Sequence, residues 1–176
     1  EIQSLDVGSW FGPAFIGETA PALDEVFESL PKDYLINVEM KVVIKGMKQI
    51  AHLVAQTVRR HARWASTLVA SFNPLALYYL RRLEPQIYRG YIWSNTHPYP
   101  LRARWFSPLV HTQWYDPATD SYDSTVHRKI QRYGARMMPW DLDFGCDLRA
   151  MASANLDAVV SNRLSHMFEQ KQNLTR

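Results

Sequence analysis

A buried strand followed by an amphipathic helix, repeated along the chain, is the pattern that most restricts what this sequence can fold into. Residues 34–41 read as a buried strand whose polar side chains gather at its C-terminal end. A long helix over 45–62 follows, with Ile50, Leu53, Val54 and Val58 on one face and Lys48, Gln49, Arg59 and Arg60 elsewhere. The alternation recurs with strand 67–72 and a helix over 75–83, opened by Asn73 as N-cap and Pro74 at its first position and stopped before Pro85. Strand 87–93 leads through a loop, 94–100, to a short helix at 101–106. Strand 109–114 leads through a polar loop, 115–123, to a helix at 124–133 that Gly134 caps. Strand 136–140 precedes a helix at 144–154, and strand 156–162 precedes a terminal helix that begins near Leu164 and frays beyond Gln172. Ahead of these units lie a loop rich in glycine and aromatics, 5–21, and a helix, 22–30, with Leu23, Val26, Phe27 and Leu30 on one side.

Strands separated by helices pair in parallel, because the chain returns to the same sheet edge through each crossover. The expected fold class is therefore α/β, a (β/α)8 TIM barrel of which about six units are present. A closed barrel takes eight strands and typically about 250 residues, against 176 here. The expectation is a single domain over 1–176, an N-terminally truncated barrel lacking its first two strands. The opening Glu1-Ile2-Gln3-Ser4 has no Met, no charged n-region and no apolar h-region, so it reads as the start of a fragment without a visible signal peptide.

Composition removes several alternatives. With 47% hydrophobic and 21% charged residues the chain belongs among globular domains, neither disordered nor fibrous. The formal charge of +3 favours anionic partners. The densest basic run is only Arg59, Arg60, His61 and Arg63, which is no nucleic-acid footprint. No apolar run approaches the roughly 18 residues of a membrane span, and the expected compartment is cytoplasmic. Cys146 is the only cysteine, so no intramolecular disulfide forms. There is no G-x-G-x-x-G and no G-x-S-x-G, which disfavours nucleotide-dependent and serine-nucleophile chemistry. Asp116, Asp120 and Asp123 lack the glycine and terminal glutamate of a calcium loop, and read as a solvated loop.

Several segments, in order, carry a resemblance. They are Ser4-Leu5-Asp6-Val7-Gly8-Ser9-Trp10-Phe11, Gly17-Glu18, Pro21-Ala22-Leu23-Asp24-Glu25-Val26, Asn37-Val38-Glu39-Met40-Lys41 and Ser71-Phe72-Asn73. Arg81-Arg82-Leu83, Trp140 and the closing Leu156-Asp157-Ala158-Val159-Val160-Ser161-Asn162-Arg163 continue the series. Together these resemble the glycerophosphodiester phosphodiesterase family of barrel hydrolases. The resemblance implies metal-dependent hydrolysis of glycerophosphodiesters to sn-glycerol 3-phosphate and an alcohol, with Mg²⁺ or Ca²⁺ as cofactor and a small-molecule substrate. A homo-oligomer stays open. The family's "HRG", "E-D" and "HD" motifs, which bring two histidines and two metal carboxylates, have no match. None of His52, His61, His97, His111, His127 and His166 is followed by Arg-Gly or by Asp. Activity is accordingly expected of a longer parent protein and not of this fragment alone.

Glu39 heads the candidate residues. It ends a strand, on the face where barrel enzymes assemble their sites, and its carboxylate is a hard oxygen ligand for Mg²⁺ or Ca²⁺; the resemblance makes it the third metal ligand. The alternative is a rim ion pair with Lys41. Lys41, two residues on, points to the same side of the strand, and the resemblance gives it a catalytic, phosphate-holding role. Trp140, Phe72 and His111 each end an expected strand and are candidate substrate contacts, with core packing as the alternative for each. Asp141-Leu142-Asp143 departs from the family's pattern beside Trp140. Two rival readings remain: a catalytically inactive barrel remnant that binds or assembles, and a lysophospholipase D-type enzyme that uses the aromatic loop around Trp10–Phe15 to touch lipid.

Overall fold

The computed structural model of the chain describes residues 1–42, 45–143 and 153–174. Among them five strands pair in parallel: β1 (Ile36–Glu39), β2 (Thr67–Ser71), β3 (Tyr88–Trp93), β4 (Trp114–Pro117) and β5 (Arg136–Met137). Their order in the sheet is their order in the sequence. A doubly wound sheet reverses order at a switch point; a sheet that never reverses puts its crossovers on one side and curls, as in a (β/α) barrel. The helices are α1 (Leu23–Ser29), α2 (Met47–Arg60), α3 (Pro74–Leu83), α4 (Tyr99–Arg102), α5 (Ser107–Val110), α6 (Ser124–Arg132) and α7 (Leu164–Leu174).

Period-two alternation divides each strand between two faces. Ile36, Val38, Val69, Tyr91 and Trp93 face the helices and join the main core. Against them α2 turns Ala51, Val54, Ala55 and Val58, and α3 turns Ala76, Leu77 and Leu80. The alanines let the two helices approach closely. Leu77 and Leu80 are wholly buried, each contributing about 1.5–3 kcal/mol by that burial. Asn73 caps α3 as its residue type predicts, its Oδ1 accepting from the Leu75 N–H at 3.0 Å. Asn37, Glu39, Leu68, Tyr88, Ile92, Trp114, Asp116 and Met138 occupy the other, concave face, where they line two cavities.

Three expectations are corrected. Residues 109–114 are not a strand: Ser107–Val110 is helical, and His111 ends that helix in the left-handed region at φ 49°. The cause lies outside the segment. The buried Arg89 guanidinium donates to the carbonyls of Val110 and His111 at 3.0 and 3.1 Å, so these acceptors need no strand ladder. The fourth strand begins at Trp114, which takes Asp116 out of the expected solvated loop and buries it. Residues 156–162 form no regular strand. Val160 exchanges two backbone bonds with the neighbouring segment, from the Leu142 N–H at 2.8 Å and to the Pro139 carbonyl at 2.9 Å. Side chains take the remaining positions: Asp157 accepts from the Met137 N–H, and Asp143 from the Asn162 N–H. Most of the helix expected at 144–154, with Cys146, lies outside the described residues.

The 5–21 loop is held from within. The Asp6 carboxylate accepts from the N–H groups of Gly8, Ser9 and Gly17 and from the Ser9 hydroxyl, which holds its pKa far below the usual range. A Cβ on residue 8 would fall 2.0 Å from the Phe15 carbonyl oxygen, so only glycine fits there. Trp10 and Phe11 stay largely exposed on this rigid loop.

Candidate active site

A cavity of about 470 Å³ opens at the C-terminal ends of the strands. Glu39, the last residue of β1, and Lys41 both line it. The Lys41 Nζ donates to Glu39 Oε2 at 2.8 Å, with the lysine side chain 81% and the glutamate 30% exposed. The rim pair and the shared cavity are thus found together. An ion pair this open is worth at most about 1 kcal/mol, so a ligand can recruit either partner at little cost to the fold.

Aromatic side chains build the facing wall. Trp140 is set by two bonds, its backbone N–H to the Pro117 carbonyl at 2.9 Å and its indole N–H to the Asp116 carbonyl at 2.9 Å. Phe72, the residue after β2, meets the Trp140 ring edge to face at 5.6 Å. On its other side Phe72 stacks on His97 at 4.8 Å, and His97 Nδ1 is held by the Ser94 hydroxyl at 2.7 Å. Such a wall suits the carbon face of a polyol. Of the acidic pair after Trp140, Asp141 lines the cavity. Asp143 instead holds the Asn162 side chain and the Ser161 hydroxyl at 2.9 and 3.1 Å, and these bonds keep its carboxyl below the usual range. They also set Asn162 on the cavity rim.

Four of the five sequence candidates, Glu39, Lys41, Phe72 and Trp140, therefore share one cavity, and His111 does not. Its carbonyl is bound by Arg89, the second residue of β3, at the end of the sheet opposite the mouth. His111 was expected there only through a strand that does not form, and its place as a substrate contact is withdrawn. Asp116, Asn162 and His97 escape the sequence reading. For Asp116 the signal is the alternation with Trp114, visible only once β4 is known to begin at 114.

A carboxylate such as Glu39 has the hard oxygen that Mg²⁺ or Ca²⁺ prefers. Among the described residues no three His, Cys, Asp or Glu side chains come together as a metal centre. The donor type fits a divalent cation, but the number does not complete its coordination. A second cavity, of about 440 Å³, lies at the opposite end of the concave face between Leu35, Leu68, Tyr88, Trp114 and Arg136. It is mainly apolar and contains no carboxylate.

Comparison with known proteins bears on this arrangement. Residues 1–166 match the model of the glycerophosphoryl diester phosphodiesterase family. A glycerophosphodiester phosphodiesterase of Caldanaerobacter subterraneus is 25% identical over 165 residues, covering 92% of this chain and 66% of that protein. Among solved structures, an Oleispira antarctica phosphodiesterase in complex with the product sn-glycerol-3-phosphate superposes with a TM-score of 0.76 at 25% identity, covering 91% of this chain and 64% of that one. A glycerophosphodiester phosphodiesterase from Parabacteroides distasonis gives 0.76 at 16% identity, covering 99% and 71%, and bears on the fold alone. The chain spans about two thirds of the length of these relatives.

Proposed function

The chain belongs to the glycerophosphoryl diester phosphodiesterase family, and from that premise we propose that the full-length gene product hydrolyses glycerophosphodiesters to sn-glycerol 3-phosphate and an alcohol. The observation that supports this most is the convergence of Glu39, Lys41, Phe72 and Trp140 on one cavity at the strand C-termini. In this reading Lys41 leaves its exposed pairing with Glu39 to hold a phosphate oxygen, and Trp140 and Phe72 cover the carbon face of the glycerol. Glu39 would supply one hard oxygen to a Mg²⁺ or Ca²⁺ ion, whose remaining ligands would come from groups beyond those described. When bound, such an ion draws negative charge from the phosphate. Asn162, fixed by Asp143, faces the same space and can donate to the diester.

The test is release of sn-glycerol 3-phosphate from glycerophosphocholine by the full-length product, with Mg²⁺ or Ca²⁺ and after chelation. Release that depends on the cation is expected. Turnover of lysophosphatidylcholine without turnover of glycerophosphocholine would replace this reading with the lipid-directed rival, and absence of both would end it.

A further inference from the structure

Asp116 is the buried acid of the cavity wall, and no group among the described residues binds its carboxyl. It is 2% exposed, and neither carboxyl oxygen has a hydrogen-bond partner among the described residues. Its place follows from register. Asp116 pairs across with Ile92 of β3, and Met138 lies beside it on the other flank; all three line the cavity at the strand C-termini. The carboxyl leans into a slot that a missing side chain provides, since a Cβ on Gly90 would lie 2.6 Å from Asp116 Oδ2. Leu68 and Ala70 also border that slot, so its walls offer no donor. The other charged side chains on this face are Glu39, Lys41 and Asp141 at the mouth and Arg136 toward the opposite end. None of them bonds Asp116.

A carboxylate in such surroundings is costly unless it finds a cation or takes a proton. No cation among the described residues reaches it, and burial pushes its carboxyl well above the ordinary range. Burial thus favours the acid form, which has one O–H donor and one carbonyl acceptor. That pair complements an alcohol hydroxyl, which also donates and accepts once. It offers little to an alkyl group, and it is no repulsive neighbour for a phosphate held above it. A buried acid without a partner costs stability, so a leucine would serve the fold better.

We propose that Asp116 is a specificity-determining residue that hydrogen-bonds a hydroxyl of the substrate's glycerol moiety at the floor of the cavity. The proposal rests on the glycerophosphodiester reading and deepens it. Because both oxygens are closed to water, contact requires the carboxyl to turn about its Cα–Cβ bond out of the slot over Gly90. The displaced packing falls on Met138, an adaptable side chain. The site thus selects a polyol phosphate over an alkyl phosphate of the same length.

Calorimetric titration of the full-length product that carries this chain, with sn-glycerol 3-phosphate and with propyl phosphate and with Mg²⁺ present for both, tests this. The unmodified product should bind the glycerol ester about tenfold more tightly, the size of one net hydrogen bond. Asp116→Leu should erase that preference and leave the propyl ester within about twofold. Asp116→Asn, which keeps a donor and an acceptor, should retain most of it. Equal affinity of the unmodified product for the two esters overturns the inference even where Asp116→Leu fails to fold. So does an Asp116→Leu product that loses both esters alike, the mark of a merely structural role. Binding of neither ester by the unmodified full-length product would instead strike the phosphodiester reading itself, and the inference with it.

Discussion

At the C-terminal end of the strands the charged side chains of Glu39, Lys41 and Asp116 are left off the backbone, whereas at the N-terminal end two buried arginines are tied to main-chain carbonyls. Glu39 and Lys41 hold each other by one exposed contact, and the Asp116 carboxyl has no hydrogen-bond partner among the described residues. Below, Arg63 and Arg89 are buried at 2% and 3% exposure and spend most of their donors on backbone, the Arg63 Nε alone having no partner among the described residues. Arg63 binds the carbonyls of Phe27, Leu30 and Pro31, closing the end of α1. Arg89 binds those of Pro85, Ile87, Val110 and His111. Both ends contain buried charge-bearing residues. Whether such a residue is satisfied by its own chain is what separates scaffold from site.

The largest effect that could break this comparison is at Glu39. Glu39→Gln should lower turnover by the full-length product on the order of 1000-fold at saturating cation, several kcal/mol of transition-state stabilisation, with a nearly unchanged melting temperature. Unaltered turnover removes Glu39 from the site. The reverse is expected of Arg89→Ala: a loss of about 2–4 kcal/mol in urea denaturation, because several buried carbonyls lose their donor. Ester affinity of the protein that remains folded should not change.

A smaller effect concerns pH. The Asp116 carboxyl is raised in the folded chain, so unfolding lets it release a proton that the native state retains. Its contribution to stability is therefore lost as pH rises above the ordinary carboxylate range. Asp116→Asn should flatten the fall that begins above about pH 4 in thermal melts; an unchanged slope would mean that the native acid ionises normally. The smallest effect belongs to His111. His111→Gly relieves a left-handed backbone and should stabilise by about 0.5–1 kcal/mol, with no change in turnover. Impaired turnover would return His111 to the functional end.

Legibility in the sequence follows the same division. The Asn73-Pro74 start of α3 depends on neighbours a few residues away and forms as its residues suggest. The expected α2 stripe holds only in part: Val54 and Val58 are buried and Ile50 packs against the core, but Leu53 is exposed and Ala51 and Ala55 take the buried face instead. The failure at 109–114 is instructive. Leu109-Val110-His111-Thr112 has strand-like composition, while Trp114-Tyr115-Asp116-Pro117 contains an acid and a proline that suggest a loop. A guanidinium more than twenty residues upstream reverses both assignments. Expected strand 156–162 loses its ladder in the same way, to the carboxylates of Asp143 and Asp157. Glu39, Lys41, Phe72 and Trp140 could be found because each stands at or just past the C-terminal end of a strand, in segments that carry the family resemblance. Asp116 could not, since its meaning depends on Gly90 leaving room for it.

The bond from the Trp140 indole to the main-chain carbonyl of Asp116 also has an optical consequence. One chromophore is tethered to the very residue that forms the cavity floor, so a ligand that turns the acid alters the field around that ring. Subtracting the emission of a Trp140→Phe chain from that of the parent would isolate this signal from the other tryptophans. The protein would then report occupancy of its own floor without any attached dye.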